Sequence, residues 1–235
     1  MKILTVSDLH QRRHLYEQLA SAISEHRPDL VCIIGDWLDY EGGDMTPPEA
    51  AAVLAKATGE CEVAFSPGNH ELFEVEFGEF ERAWKDIRPF NLLSRRPGKF
   101  GRLIVMGFPA FACDEWEDWL VAYVNMLGDH ARVLWLMHEP PTSELAEEFF
   151  RCEDWHNAIL TYGPLIVVSG HDHNTPLERG AWECKVGKTT CVNVGQRAHT
   201  PGGKLCYCTF RIEFLRECGV GCGLTPYLRD LRRHG

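Results

Sequence analysis

The sequence predicts an α/β fold in which a mostly parallel sheet is covered on both of its faces. Two observations point there. Short runs such as "LVCIIGD" and "PLIVV" are apolar at nearly every position, as strands buried on both faces are. Between such runs lie stretches with apolar residues at helical spacing, and strand–helix alternation accompanies a doubly covered sheet. The 235 residues, 45% hydrophobic and 25% charged, are enough for one domain with a large core. No long linker, repeat or low-complexity stretch interrupts them, so a single domain over residues 1–235 is expected.

Each element has its own signal. "KILTVSD" reads as the first strand. A helix over 14–26 follows, with Leu15, Leu19, Ala22 and Ile23 on one stripe and Pro28 just past its end. "LVCIIGD" is the second strand, and "PPEAAAVLAKA" opens with prolines suited to a first helical turn. "CEVAFSPGNH" is a third strand ending in a loop, before a helical stretch over 74–87 and "NLLS". "RLIVMGFPA" and "RVLWLMHEPP" are two further strands, separated by an amphipathic helix over 115–128. "PLIVVSGHDH" comes next. "AWECKV", "TTCVNV" and "LCYCTFRIEF", set among Gly and Pro turns, make a β-rich end.

Composition narrows the partners. The formal net charge is −10, which weighs against nucleic acid and anionic membranes, because affinity for either rests largely on Lys and Arg. "MKILTVSDLH" offers too few apolar residues for a secretory core. No apolar run nears the roughly 18 residues of a membrane span. A soluble, cytoplasmic protein is expected, and its ten cysteines as reduced thiols. Several lie in apolar runs, Cys32 among them, where a thiol acts as a small hydrophobe. Cys206, Cys208, Cys218 and Cys222 could be drawn as a zinc site, but their spacing is not that of a standard zinc knuckle, and buried or surface thiols are the preferred reading.

Polar residues gather where strands end. The first strand ends with Asp8 and His10, the second with Asp36 and Asp39, the third with Asn69, His70 and Glu71; later ones end with His138 and with His171 and His173. Ligands bind at the carboxyl ends of strands in α/β sheets, so five such ends would converge on one spot. A single histidine there is ordinarily a satisfied polar residue; the series of five carries the argument. In an extended chain His171 and His173 share a face and Asp172 takes the other.

The order D-x-H, G-D-x-x-D, G-N-H-[D/E], H, G-H-x-H, running from Asp8 to His173, resembles the calcineurin-like metallophosphoesterases, with a fainter continuation at "VNVGQR". The resemblance implies a four-layer α/β/β/α sandwich of two mixed β-sheets flanked by helices. It implies two divalent metal ions: Asp8, His10, Asp36 and His173 would hold the first, and Asp36 (bridging), Asn69, His138 and His171 the second. His70 matches the catalytic histidine, which sits beside the phosphate without binding metal. Asp39 matches an acid that supports the loop. His171 and His173 would then serve different metals, and Asp172, turned away, would be a structural or rim residue. Nitrogen and oxygen donors without cysteine suit Mn, Fe or Zn. The implied activity is phosphoester hydrolysis by in-line attack of a hydroxide bridging the two metals, with His70 protonating or stabilising the leaving oxygen.

Departures and side features complete the reading. Glu71 stands where Asp is commoner. Relatives with Glu there, such as Ser/Thr protein phosphatases, carry an arginine and a glycine where this chain has Tyr40 and Gln11, which argues against that branch. The remaining histidines, at 14, 26, 130, 156, 199 and 234, match no ligand position and are read as surface or loop residues. "FACDEWEDW" could line the cleft and stack an aromatic on a nucleobase, or place Trp116 and Trp119 in the core. Arg197 is a candidate phosphate contact. A phosphodiesterase or phosphomonoesterase acting on a small or nucleotide-like substrate is expected; a nuclease of the same fold or a non-catalytic interaction scaffold are the alternatives.

Overall fold

Two β-sheets pack face to face in the computed structural model, which describes every residue except 73, 94–95, 111–115, 129–132, 151–152, 201 and 217–223. Cys113, Cys152, Cys218, Cys222, His130, the stretch 111–115 and the side chains of Trp116 and Trp119 therefore lie outside the described residues. The strands are β1 (Lys2–Ser7), β2 (Leu30–Ile34), β3 (Glu62–Ser66), β4 (Gly98–Phe100), β5 (Leu103–Phe108), β6 (Leu134–Met137), β7 (Ile166–Ser169), β8 (Glu183–Val186), β9 (Thr189–Asn193), β10 (Tyr207–Arg216) and β11 (Leu224–His234). The helices are α1 (Arg13–His26), α2 (Pro47–Thr58), α3 (Glu74–Lys85), α4 (Trp116–Leu127) and α5 (Glu153–Tyr162).

The first sheet has the order β11-β10-β1-β2-β3 and the second β4-β5-β6-β7-β9-β8. β1, β2 and β3 run parallel, as do β5, β6, β7 and β9, while β4, β8, β10 and β11 pair antiparallel. Both sheets are thus mixed. Side-chain alternation assigns the layers. Leu4, Val6, Val31, Ile33 and Phe65 face outward into a core with α1 and α2, whose Leu19, Ile23 and Leu54 join it. Ile3, Cys32, Ile34 and Ala64 face inward and meet Val105, Leu134, Leu136, Val168 and Val192 of the second sheet. The other residues of that sheet, Trp135, Met137, Val167 and Cys191, pack under α4 and α5 through Leu120, Trp155 and Ile159.

This is the four-layer α/β/β/α sandwich. The apolar pattern alone suggested one sheet with helices on both faces. Each sheet instead has helices on one face and the other sheet on its second, and a buried strand is equally apolar in both cases. Three elements had no signal that was read: α5, the three-residue β4 and the edge strand β11. The last, "LTPYLRDLRRH", is rich in charge because one face and one edge meet solvent.

The expected buried thiols are there. Cys32 and Cys208 lie in the layer between the sheets, where burial pushes both thiols up, and Cys206 packs beside Arg233. The cysteines at 32, 61, 184, 191, 206 and 208 are free.

Candidate active site

The loops that leave β1, β2, β3, β6 and β7 meet at one end of the sandwich. Among the described residues seven non-glycine residues have left-handed φ, and five of them, Asp8, His10, Gln11, Asp36 and His171, are here. Such backbone costs of order 1–3 kcal/mol per residue and persists only where surrounding structure holds it. Two glycines allow the crowding. A Cβ on Gly35, whose φ is +66°, would collide with the His138 ring, and one on Gly170 would collide with Ser7 Oγ.

Buried acceptors and donors brace these loops. Glu71 is buried, and its carboxylate accepts from the backbone N–H groups of Asp36 (2.8 Å), Gly68 (2.8 Å) and Leu38 (2.9 Å), tying the loop after β2 to the loop after β3. Burial, helped by the Asp36 charge, raises Glu71 to about 8 against the pull of those donors. Gln11 accepts from Asp39 N–H (2.7 Å) and donates to the Met45 carbonyl (2.9 Å), so the residue standing in for the relatives' glycine holds the second loop down. Gln196, in "NVGQR", links the Ser7 carbonyl to the Cys206 N–H.

The residues singled out in the sequence come together in this cleft. His173 Nε2 is 3.1 Å from Asp8 Oδ1, and the His171 N–H donates to both Asp8 oxygens at 3.2 Å. His138 Nε2 lies 3.2 Å from Asp36 Oδ2 and 3.0 Å from Asn69 Oδ1. His10 and His70 each bring Nε2 within 3.9 Å of the same Asp36 oxygen. Among the described residues four groups of side chains have donor atoms close enough to share an ion: Asp8–His10–His173, Asp36–His138–His171, His10–Asp36–His70 and His10–Asp39–His199. Asp39 is a further acid at the site. Its carboxylate is 3.1 Å from the Arg12 guanidinium and 3.5 Å from His70 Nδ1.

The electrostatics suit cations. Burial would raise both carboxyls, but His173 holds Asp8, and His138 holds Asp36, below the ordinary carboxylate range. Burial lowers His10 to about 3 and His171 to about 4, leaving both neutral, the form that binds metal. For His138 burial is outweighed by Asp36, which lifts it to about 9; Asp8 raises His173 in the same way. Both ring nitrogens of His10 and Nδ1 of His138 are buried without a hydrogen-bond partner. A neutral imidazole with an unpartnered, buried nitrogen beside two carboxylates fits a metal ion.

Two points of the sequence reading change. β7 ends at Ser169, and His171 is left-handed (φ +65°), so strand alternation does not orient His171 and His173. Asp172 still turns away, for another reason: it is buried and accepts from the N–H groups of Glu147, Asn174 and Thr175 and the Thr175 hydroxyl, so it is structural and not at the rim. His199, read as an unremarkable loop residue, sits 4.8 Å from His10, ring to ring, with Nδ1 2.9 Å from Arg12. Nothing in its local sequence signals this, since β9 and its loop bring it back from far along the chain. Arg197 reaches the cleft rim, where Glu178 and Asn174 hold its guanidinium. The cleft, about 430 Å³, is walled by Tyr40, Phe150, His199 and Thr200 around the histidines.

The amino-acid sequence matches the family model for calcineurin-like phosphoesterases over residues 1–175. The chain belongs to the calcineurin-like phosphoesterase family. It is accordingly a metal-dependent phosphoesterase, a hydrolase of phosphoester bonds. Comparison with curated proteins finds no match. Among solved structures, TT1561 of Thermus thermophilus is similar over 88% of this chain and 92% of its own, at 17% identity and a TM-score of 0.67. A dimetal phosphatase from Danio rerio is similar over 99% and 98%, at 14% identity and a TM-score of 0.58. An archaeal phosphodiesterase is similar over 97% and 99%, at 11% identity and a TM-score of 0.54. These likenesses show the shared fold. Among the described residues no helix is long and apolar enough to cross a membrane.

Proposed function

We propose that this phosphoesterase works with two divalent cations on a small or nucleotide-like phosphodiester or phosphomonoester. The observation that carries the reading is that, of the four ion-sharing groups in the cleft, Asp8–His10–His173 and Asp36–His138–His171 share no residue and so can hold an ion each. Asp8, His10, Asp36 and His173 would hold one cation; Asp36, Asn69, His138 and His171 would hold the other. The mixed nitrogen and oxygen donors favour Mn, Fe or Zn over Mg or Ca. Bound there, the cations would supply Lewis-acid charge to the phosphoryl oxygens and acidify a water to serve as nucleophile.

The chain's own residues do the rest. His70 has Nδ1 3.5 Å from the Asp39 carboxylate, which can hold a protonated ring, and its backbone N–H donates to Asp36 at 3.0 Å. Nε2 is left to face the cleft and hand a proton to the leaving oxygen, a contribution typically of about 10²–10⁴-fold. Arg197 meets the incoming phosphate by exchanging its exposed partner Glu178, a pair whose loss costs little. The cleft opens past Tyr40 and His199, which leaves room for the second arm of a diester. The net charge of −10 disfavours a nuclease, and a scaffold would not need the full set of donors.

The test is metal analysis of the purified protein with hydrolysis of chromogenic diester and monoester substrates, alone and with Mn²⁺ added. Bound metal and turnover are expected; neither, under every condition, sinks the proposal. Asn69→Ala and His138→Ala should lose one cation per chain. His70→Ala should keep both and lose turnover, and loss of a cation in that variant would overturn the role given to His70.

A further inference from the structure

Away from the cleft, two free cysteines face each other across a hairpin. A two-residue turn, Gly187–Lys188, joins β8 to β9, and the register sets Cys184 directly opposite Cys191. Directly opposed residues of an antiparallel pair have Cα atoms about 4.5 or 5.5 Å apart, within the span of about 4.4–6.8 Å that a disulfide bridges. Both side chains fall on one face of the sheet, in the layer that holds Trp155 and Ile159 of α5.

The two thiols are not equivalent. Cys184 keeps 8% of its surface exposed and Cys191 none. Opposition to the Cys191 thiol lowers Cys184 despite burial, and Thr142 Oγ1 at 3.7 Å adds to this. The facing Cys184 thiol, and then burial, hold Cys191 high. A sulfur that reaches the surface beside one that is fully buried is the arrangement of an attacking and a resolving thiol.

We propose that Cys184 and Cys191 are a peroxide-reactive pair that closes to a cross-strand disulfide, Cys184 attacking and Cys191 resolving. The Cys184 sulfur bonds to one oxygen of hydrogen peroxide as the O–O bond breaks, and the departing hydroxide takes up the proton Cys184 gave, leaving as water. The Cys191 sulfur then bonds to the Cys184 sulfur as the S–O bond of the sulfenic acid breaks, and that hydroxide takes the Cys191 proton as a second water. Two thiols and one peroxide become one disulfide and two waters.

The test uses the full chain, native, treated with hydrogen peroxide and then with an alkylating agent before digestion. Trypsin cuts after Lys185 and Lys188, so the two cysteines fall in different peptides. Mass spectrometry should find those peptides joined, two hydrogens lighter than their sum and separated by dithiothreitol. Cys184 alkylated in full, or joined to any other cysteine, would overturn the proposal. Cys191→Ser, checked for folding by circular dichroism, should leave Cys184 as a sulfenic acid that dimedone traps. In Cys184→Ser, Cys191 should be modified at least about tenfold more slowly; equal rates would overturn the assignment of roles. None of these readouts depends on hydrolysis.

Discussion

At the scale of single residues, Glu71 shows what motif reading reaches and where it stops. The position was legible as part of G-N-H-[D/E]; its bonds to three backbone N–H groups from two loops were not, because hydrogen-bond partners remote in sequence leave no local mark. Glu71→Gln leaves at least one buried N–H facing an amide donor, at a cost of about 1–3 kcal/mol. We expect a lower Tm and weaker metal binding in calorimetry, and unchanged values for both would remove the bracing role. Gly170→Ala drives a methyl group into Ser7 Oγ and the Asp8 carboxylate; turnover should be lost even where circular dichroism still shows a folded protein. Proton balance gives a third expectation. Asp36 holds His138 up to about 9, so in the metal-free protein at pH 7 that imidazole is charged, and binding a cation must expel its proton. Titration calorimetry in buffers of different ionisation enthalpy should report proton release near pH 7. Release should shrink as pH rises through 9, where His138 is already neutral. A heat independent of buffer at pH 7 would contradict this.

At the scale of elements, strands buried on both faces were easy to read and exposed ones were not. β2 is apolar throughout and β7 is apolar up to its last residue, Ser169, because neither face meets water. β11 is written in Arg, Asp and Pro because it is an edge, and Pro226 is tolerated at an edge where no further strand needs its N–H. The helix opening at "PPEAAAVLAKA" was legible from its prolines, and the structure adds why it starts where it does. Thr46 accepts from Glu49 N–H while the Glu49 carboxylate accepts from Thr46 N–H at 2.8 Å, a reciprocal capping box. Thr46→Ala should cost about 1 kcal/mol, a fall in Tm of roughly 2–4 °C in a chain of this size. Hydrolysis should be unaffected, and a thermal melt beside an activity assay checks both.

At the scale of the whole molecule, the motif order made the four-layer fold legible through the family it resembles, whereas the apolar pattern alone suggested one sheet covered on both faces. His199 escaped because it lies on a loop outside the motif series. Removing the cations by dialysis against a chelator should lower Tm, and Mn²⁺ should restore it with a dependence on concentration, since a ligand at 100 times its Kd stabilises by about 2.7 kcal/mol. A melt blind to chelator and Mn²⁺ would argue against resident metals. Both groups proposed to hold a cation draw on both sheets: Asp8 and His10 follow β1 while His173 follows β7, and Asp36 follows β2 while His138 and His171 follow β6 and β7. An occupied centre therefore acts as a rivet through the seam of the sandwich. Without it, the greasy layer between the sheets and hydrogen bonds such as His171 N–H to Asp8 and Ser66 to the Leu136 carbonyl are left to resist their parting. Amide exchange should then quicken together at the ends of β1, β2, β6 and β7, on opposite sides of the seam, while β11, far from the rivet, keeps its own pace.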